Sequence, residues 1–218
     1  MNKLLSKEHL RDAPFKIPFH TVVQRGEDIP KRAMELFRSF PQPSIVKPIS
    51  GGSSVGVSLA RSFNELLAAL LEGLEREQAV IVEEYIKGRE ATAGIVDAYR
   101  GAEHYALPVI EIRIPSEHHF FDQAAKYSGE TEEICPGNFS QEEKRALLEA
   151  AQYVHKALGL KHYSRSDFIV SPRGIYFLEA NTLPGLTTVS LFPKALQAVG
   201  ASLPEFIDHV LTRALQRK

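Results

Sequence analysis

Between His162 and Asn181 the chain carries two runs of strand-forming residues, "HYSRSDFIV" and "GIYFLEAN", joined by the turn "SPRG". Two such runs around a Pro- and Gly-containing turn read as a hairpin. Successive side chains on a strand point to opposite faces, so Arg165 and Asp167 share one face, and Glu179 and Asn181 another. If the strands pair through the turn, three oxygen-bearing side chains, Asp167, Glu179 and Asn181, converge at one end of the hairpin, with Leu178 and Ala180 turned into the core. Oxygen donors of this kind suit a hard cation such as Mg2+, which takes one or two carboxylates together with the phosphates of a nucleotide. Solvated residues on an outward strand face account for the alternation, but not for an arginine, two acids and an asparagine gathered ahead of a Pro-Gly turn.

The remainder of the chain mixes helices and strands. A short helix near Lys3 to Asp12 precedes a strand "FHTVVQ", a helix "DIPKRAMELFRSF" and a strand "SIVK". Ser62 and Glu65 form a capping-box pattern ahead of leucines at 66, 67, 70, 71 and 74, which recur at helical spacing. The strand "AVIVEEYI" follows, then two long strands, "EATAGIVDAY" and "EHYALPVIEIR". A polar stretch from Pro115 to Phe139 lacks clear periodicity, and loops of that length inside a compact domain are functional or disordered. A helix from Ser140 to about Leu158 leads into the hairpin, and two further helices, whose Leu and Phe residues read as core, close the chain.

A second feature is "SIVKPISGGSSVGVS", an apolar strand that ends in Lys47 and Pro48 and runs into glycines and serines. It reads either as a plain turn or as a flexible cradle for phosphate, with Lys47 supplying a fixed charge beside backbone amides that glycine leaves unobstructed. A Walker-type loop is excluded, because Lys47 precedes the glycines and a strand follows them; no G-x-G-x-x-G is present either. Composition narrows the partners. A net charge of -1 over 218 residues offers no long-range attraction to nucleic acid, and no apolar run reaches the length of a membrane span. The single Cys135 reads as a small apolar filler and suits a cytoplasmic location. The eight histidines show no metal-ligand spacing, and the adjacent His118 and His119 read as solvated loop positions.

The motifs "VKPISGGSSVGV", "VEEYIKGREAT", "FFDQAAKYSGETEE", "YSRSDFIV" and "FLEANTLPGLTTVSLFP" together resemble the D-alanine-D-alanine ligases of the ATP-grasp superfamily, in order and approximate spacing, over nearly the whole chain. The resemblance implies an α+β ATP-grasp fold of two lobes, residues 1–84 with the serine loop and residues 85–218 with the lid loop and magnesium site, holding ATP between them. It implies a cytoplasmic enzyme of peptidoglycan precursor synthesis that uses ATP and Mg2+ to join two D-alanines through an acyl phosphate, with a homodimer left open. Carried over by position, Lys3 and Lys47 resemble the lysines that hold ATP phosphates, and Gly52, Ser53 and Ser54 the mobile serine loop, with Ser53 facing the first amino acid. Glu83, Glu84 and the backbone around Ile86 resemble the hinge that reads adenine, and Glu90 the acid that holds the ribose. Asp167, Glu179 and Asn181 resemble the magnesium ligands. Arg165 and the Gly185 amide resemble the groups that stabilise charge on the acyl centre, and Ser190 and Leu191 the receiver of the second carboxylate. Lys126 and Tyr127 resemble the lid residues at the transferred phosphate and toward Ser53; tyrosine here resembles dipeptide makers.

Two departures from the pattern stand out. The family's chains usually begin with a further α/β domain that contributes a glutamate to the first D-alanine, whereas Met1 lies immediately before the ATP-binding lobe, so that domain is expected to be absent. Asn2 also replaces an aspartate often found before the lysine. Three functions remain in view: the D-alanine ligase, a nucleotide-binding module without turnover, and a carboxylate-amine ligase for another amino acid.

Overall fold

The computed structural model describes residues 2–52, 55–114 and 131–216. The chain opens with helix α1 (Lys3–His9), whose N-cap Asn2 accepts a hydrogen bond from the Leu5 amide at 3.0 Å. Strands β1 (His20–Gln24), β2 (Ser44–Pro48), β3 (Ser58–Ala60) and β4 (Ala79–Glu84) form an antiparallel sheet in the order β1-β4-β2-β3. Helix α2 (Ile29–Ser39) packs beside α3 (Phe63–Arg76), which lies against β2, β3 and β4. The expected capping box is formed: Glu65 N–H donates to Ser62 Oγ at 3.3 Å, and the Glu65 carboxylate accepts from the Ser62 amide at 3.2 Å. Leu66, Leu70 and Leu74 are buried in one cluster with Val23, Val46, Val80 and Val82, whereas Leu71, to the side of that stripe, is exposed.

The second sheet is built around the long strand β5 (Arg89–Tyr99). One edge of β5 pairs with β9 (Tyr163–Ser171), itself paired with β10 (Gly174–Asn181). The other edge pairs with β6 (Ala102–Ala106) near the hairpin turn and with β7 (Ile110–Arg113) further back, and β8 (Glu132–Ile134) pairs with β7. The stretch expected as one strand, "EHYALPVIEIR", is thus two. Pro108 has no N–H for the ladder, so the chain leaves the sheet there after Leu107 N–H has donated to the Gly94 carbonyl at 2.8 Å. The strand β8 falls in the stretch that showed no periodicity, and its three residues are too few to display one.

Helix α4 (Gln141–Ala157) covers β5 and β9 through Leu147, Ala150, Ala151 and Val154, which meet Phe168 and Phe177. Helices α5 (Leu191–Ala198) and α6 (Leu203–Leu215) join a neighbouring cluster through Phe192, Leu196 and Phe206. The expectation that the apolar residues of the last helices are core holds only in part. In α6, Phe206 is buried, but Ile207, Leu211 and Leu215 lie four residues apart on one stripe and are 40%, 57% and 85% exposed.

The two sheets meet at the link between β4 and β5. A Cβ at Gly88 would stand 2.4 Å from the Val170 carbonyl oxygen, so the link passes against β9 at a separation only glycine permits.

Candidate functional site

A cavity with about 970 Å3 of space, open in part to solvent, lies between the two sheets. Strand alternation sets its wall on the side of the small sheet. Val46, Val80 and Val82 pack toward the helices, which turns Ile45 and Lys47 of β2, with Glu83 of β4, the other way into the cavity. Lys3 enters from α1, whose start is tied to the strand exit by Lys3 N–H donating to the Ile49 carbonyl at 2.9 Å and by a bridge between Asn2 and Ser50.

The cationic groups of this wall are already paired. Lys47 Nζ lies 2.8 Å from Glu83 Oε2, and Lys7 Nζ lies 3.1 Å from Glu83 Oε1. The second contact is an ion pair without hydrogen-bond alignment, so among the described residues Lys7 Nζ and Glu83 Oε1 lack a hydrogen-bond partner. Burial works to raise the Glu83 carboxyl, but Lys47 and Lys7 together outweigh it and hold it below its usual value. Burial dominates at Lys7, pushing the ammonium down to about 8 against the pull of Glu83. Lys3 Nζ donates to the Gly51 carbonyl at 3.0 Å and lies 3.5 Å from Glu179 Oε2; its pKa is lowered by burial, with Glu179 opposing.

The opposite wall is the late hairpin, in the expected antiparallel pairing. Glu179 stands across from Asp167 and Asn181 across from Arg165. The alternation is broken, however, by a bulge between Phe177 and Glu179. Phe177 and Ala180 both go to the core, and Leu178 and Glu179 both line the cavity. The expectation that Leu178 joins Ala180 in the core is therefore wrong, because the extra residue shifts the strand phase by one. Arg165 binds Asp167 through Nε to Oδ1 at 2.9 Å and Nη2 to Oδ2 at 3.0 Å, and Thr92 Oγ1 donates to Asp167 Oδ1 at 2.5 Å. Asp167 and Glu179 thus supply two carboxylates on one face of a cavity that also holds lysines, a donor set that fits Mg2+. Asn181 is turned differently: its Oδ1 accepts from the Leu183 amide at 3.0 Å.

Much of the remaining lining is apolar. Ile45, Ile86, Ile112, Ile169 and Leu178 line the cavity, with Glu90 at the same rim. Such a cavity accepts a flat, mainly apolar group with a polar tail. Glu84 lines the cavity, yet its carboxylate is engaged elsewhere, accepting from the Phe19 amide at 3.1 Å and meeting Arg173 at 3.3 Å. Gly185 and Ser190 lie together beyond β10, where a Cβ at Gly185 would stand 2.8 Å from Ser190 Oγ. Ser190 is the N-cap of α5 without capping it by its side chain, since its hydroxyl bonds Thr187 Oγ1 at 2.8 Å.

The structure therefore gathers Lys3, Lys47, Gly52, Glu83, Glu84, Ile86, Glu90, Arg165, Asp167, Glu179 and Leu191 around one cavity. Ser53, Ser54, Lys126 and Tyr127 lie outside the described residues. Lys7 was not anticipated. Its signal is the four-residue spacing from Lys3, which puts both lysines on one face of α1.

Residues 10–212 match the sequence profile described as the D-ala D-ala ligase C-terminus. The D-alanine--D-alanine ligase of Syntrophobacter fumaroxidans is 39% identical over 219 residues, which takes in 99% of this chain and 68% of that protein. Among solved structures, the VanG D-Ala:D-Ser ligase of Enterococcus faecalis superposes with a TM-score of 0.83 at 30% identity, covering 97% of this chain and 61% of that one. The D-alanine--D-alanine ligase of Bacillus anthracis complexed with ATP superposes with a TM-score of 0.78 at 30% identity, covering 99% and 66%. The chain thus spans about two thirds of the length of the proteins it matches.

Proposed function

This chain belongs to the D-alanine-D-alanine ligase family, in the region of its C-terminus, and on that premise we propose that it binds ATP with Mg2+ and joins two D-alanines, the reaction that supplies the dipeptide of peptidoglycan precursors. The observation that carries the reading is the cavity itself: Lys3 and Lys47 on one wall, Asp167 and Glu179 on the other, and apolar side chains lining much of the rest. Residues 1–84 would form the smaller lobe and residues 85–218 the C-terminal lobe. The ATP complex of the Bacillus anthracis relative supports nucleotide as the occupant.

In this reading the apolar residues receive the base, Glu90 takes the ribose hydroxyls, and Lys3 and Lys47 take the phosphates; that all of them line one cavity supports it. In the resting cavity each lysine is held by an acid, Lys3 by Glu179 and Lys47 by Glu83. Occupation by a triphosphate re-pairs these charges: Lys3 and Lys47 turn to phosphate, which frees Glu179 for the cation, and Asp167 would join it as Arg165 turns toward the reacting groups. Bound there, Mg2+ would supply the charge neutralisation that lets an anionic carboxylate take a phosphoryl group. A first D-alanine carboxylate then attacks the terminal phosphorus, breaking its bond to ADP and giving an acyl phosphate. The amine of the second D-alanine attacks that carbonyl, phosphate leaves, and the amine loses a proton. Arg165, which lines the cavity, would stabilise the charge on the acyl centre, and by family likeness the Gly185 amide would assist it while Ser190 and Leu191 receive the second carboxylate. By its family likeness the lid, Lys126 and Tyr127, would exclude water from the acyl phosphate while the second amine arrives.

The similarity to a D-Ala:D-Ser ligase makes D-serine the second acceptor to try. A coupled assay of ADP release with a panel of D- and L-amino acids tests the reading. Release that depends on D-alanine, with dipeptide in the mixture, is expected; release at the same rate with and without any amino acid would reject it.

A further inference from the structure

We propose that the chain carries a second metal site, remote from the nucleotide cavity, in which Asp97, His104 and His155 hold a borderline divalent transition ion of the zinc type. The three ligands come from three regular elements. Asp97 and His104 are direct cross-strand partners in the β5–β6 ladder, and His155 stands in the last turn of α4. Asp97 Oδ1 lies 2.9 Å from His104 Nδ1 and 2.9 Å from His155 Nε2, and the three ligand atoms all fall within 4.8 Å of one another. With metal–ligand bonds of about 2.0–2.2 Å, tetrahedral ligand atoms are about 3.3 Å apart. Small rotations of the carboxylate and the two rings reach that spacing.

The atoms behind the ligands are held as well. Asp97 Oδ2 accepts from the His162 amide at 2.7 Å, and His209 Nε2 meets the Asp97 carbonyl at 2.8 Å. Gln152 Nε2 donates to the His104 carbonyl at 2.8 Å, which ties β6 to α4. His155 Nδ1 meets Ser164 Oγ at 2.7 Å. Metal-binding imidazoles ordinarily have such a partner on the other ring nitrogen, which fixes ring orientation. Without an ion, both rings donate to Asp97 Oδ1 and the Ser164 hydroxyl donates to His155 Nδ1. With one, His155 carries its proton on Nδ1 and Ser164 Oγ accepts it, so the same contact serves both states. His155 and Ser164 are fully buried, while the His104 side chain is 24% exposed, so the centre has a dry side and an open side where water completes the coordination.

Chemistry and position separate this centre from the nucleotide cavity. Two imidazoles select a softer ion than the carboxylates of the hairpin do. Asp97 is seven positions along β5 from Glu90, roughly 23 Å at about 3.3 Å per residue. The ion would pin the β5–β6 hairpin to α4.

The test is calorimetric titration of the EDTA-treated full chain with Zn2+, in millimolar Mg2+ to occupy the hairpin carboxylates, with Co2+ as a spectroscopic substitute. One ion per chain is expected, with a visible tetrahedral Co2+ band. A hundredfold excess of Zn2+ over its Kd should raise the unfolding midpoint by about 5–10 °C. His104→Ala, at the open side, should weaken binding by about 100-fold or more and abolish the band, because a ligand is lost outright, while His9→Ala, on the exposed side of α1, should change neither. His155→Gln is the second variant, and His104→Ala stands alone if that one does not fold. Absence of binding at 100-micromolar Zn2+, on the order of a weak surface site, would overturn the proposal in favour of a hydrogen-bonded network only. Binding that survives His104→Ala but disappears in Glu179→Gln would overturn it in favour of the nucleotide cavity.

Discussion

Replacing Glu83 by glutamine removes one negative charge from between two lysines while keeping the shape of the side chain. Glu83 is 2% exposed, with Lys47 Nζ at 2.8 Å and Lys7 Nζ at 3.1 Å. At an effective dielectric constant of about 20, those separations correspond to roughly 6 and 5 kcal/mol of gross attraction. Desolvating each ion costs several kcal/mol, so most of the gross figure is offset already, and breaking a buried pair by removing one partner typically costs about 3–5 kcal/mol. The loss falls mainly on Lys7, which is 1% exposed and whose ammonium has no hydrogen-bond partner among the described residues, whereas Lys47 lines the cavity. Urea unfolding at neutral pH, followed by far-ultraviolet circular dichroism, should therefore show a lower midpoint at unchanged slope. In heat the same loss is on the order of 6–20 °C. The double variant Lys7→Met/Glu83→Gln should recover at least half of the loss, since the uncompensated ammonium is replaced by an apolar chain of similar length. A Glu83→Gln protein within 1 kcal/mol of the parent, or a double variant no more stable than Glu83→Gln alone, would refute the assignment of Glu83 as counter-ion to a buried lysine.

The same cluster sets the pH dependence of stability. Lys7 sits at about 8 in the fold against an ordinary 10.5, so the unfolded chain binds more protons between those values and stability should rise across that interval; urea melts of Lys7→Met at pH 8 and pH 10 should lack the rise. On the acid side Glu83 is held below its ordinary 4.5, so the stability it contributes is present above 4.5 and lost as pH falls through its folded value, and Glu83→Gln should flatten that limb of an acid titration. Glu179→Gln should weaken ATP binding measured in Mg2+ by at least roughly tenfold, 1.4 kcal/mol, with little change in EDTA; an equal effect in both buffers would remove the carboxylate from the cation. Gly88→Ala puts a methyl group 2.4 Å from the Val170 carbonyl oxygen and 2.5 Å from Ile169 Cγ2, and should lower stability by about 1–3 kcal/mol in a thermal melt. An unchanged midpoint there would mean that the link between the sheets is looser than its packing.

The features legible in the chain are those whose cause lies within a few residues. The capping box of α3 needs only Ser62 and Glu65, and the leucines that follow declare a buried face by their own spacing. The β9–β10 hairpin needs only its alternation and its turn, which set the pairing from Gly174 with Ser171 to Phe177 with Phe168; Glu179 stands opposite Asp167 only because of the bulge that follows. The features that were not legible depend on partners far away in sequence. Leu178 enters the cavity because a bulge shifts the phase of β10, and nothing in "GIYFLEAN" marks the extra residue. The apolar residues of α6 show helical spacing, but whether a stripe is covered depends on what packs there, and Ile207 and Leu211 are left exposed. Histidines at 104 and 155 have no recognisable ligand spacing, yet the β5–β6 pairing and the last turn of α4 bring both to Asp97.

By itself the order of residues determined the alternation of strands and helices, the oxygen donors of the hairpin, the lysine ahead of the glycine loop, and the family that these together resemble. Only the tertiary structure decided which charges meet: Lys7 and Lys47 with Glu83, Lys3 with Glu179, and Asp97 with two imidazoles. The physical reason is that hydrogen-bonded turns and caps are short-range, whereas the energy of an ion pair depends on distance and on loss of solvent. Both of those are set by packing between segments that the linear order leaves far apart.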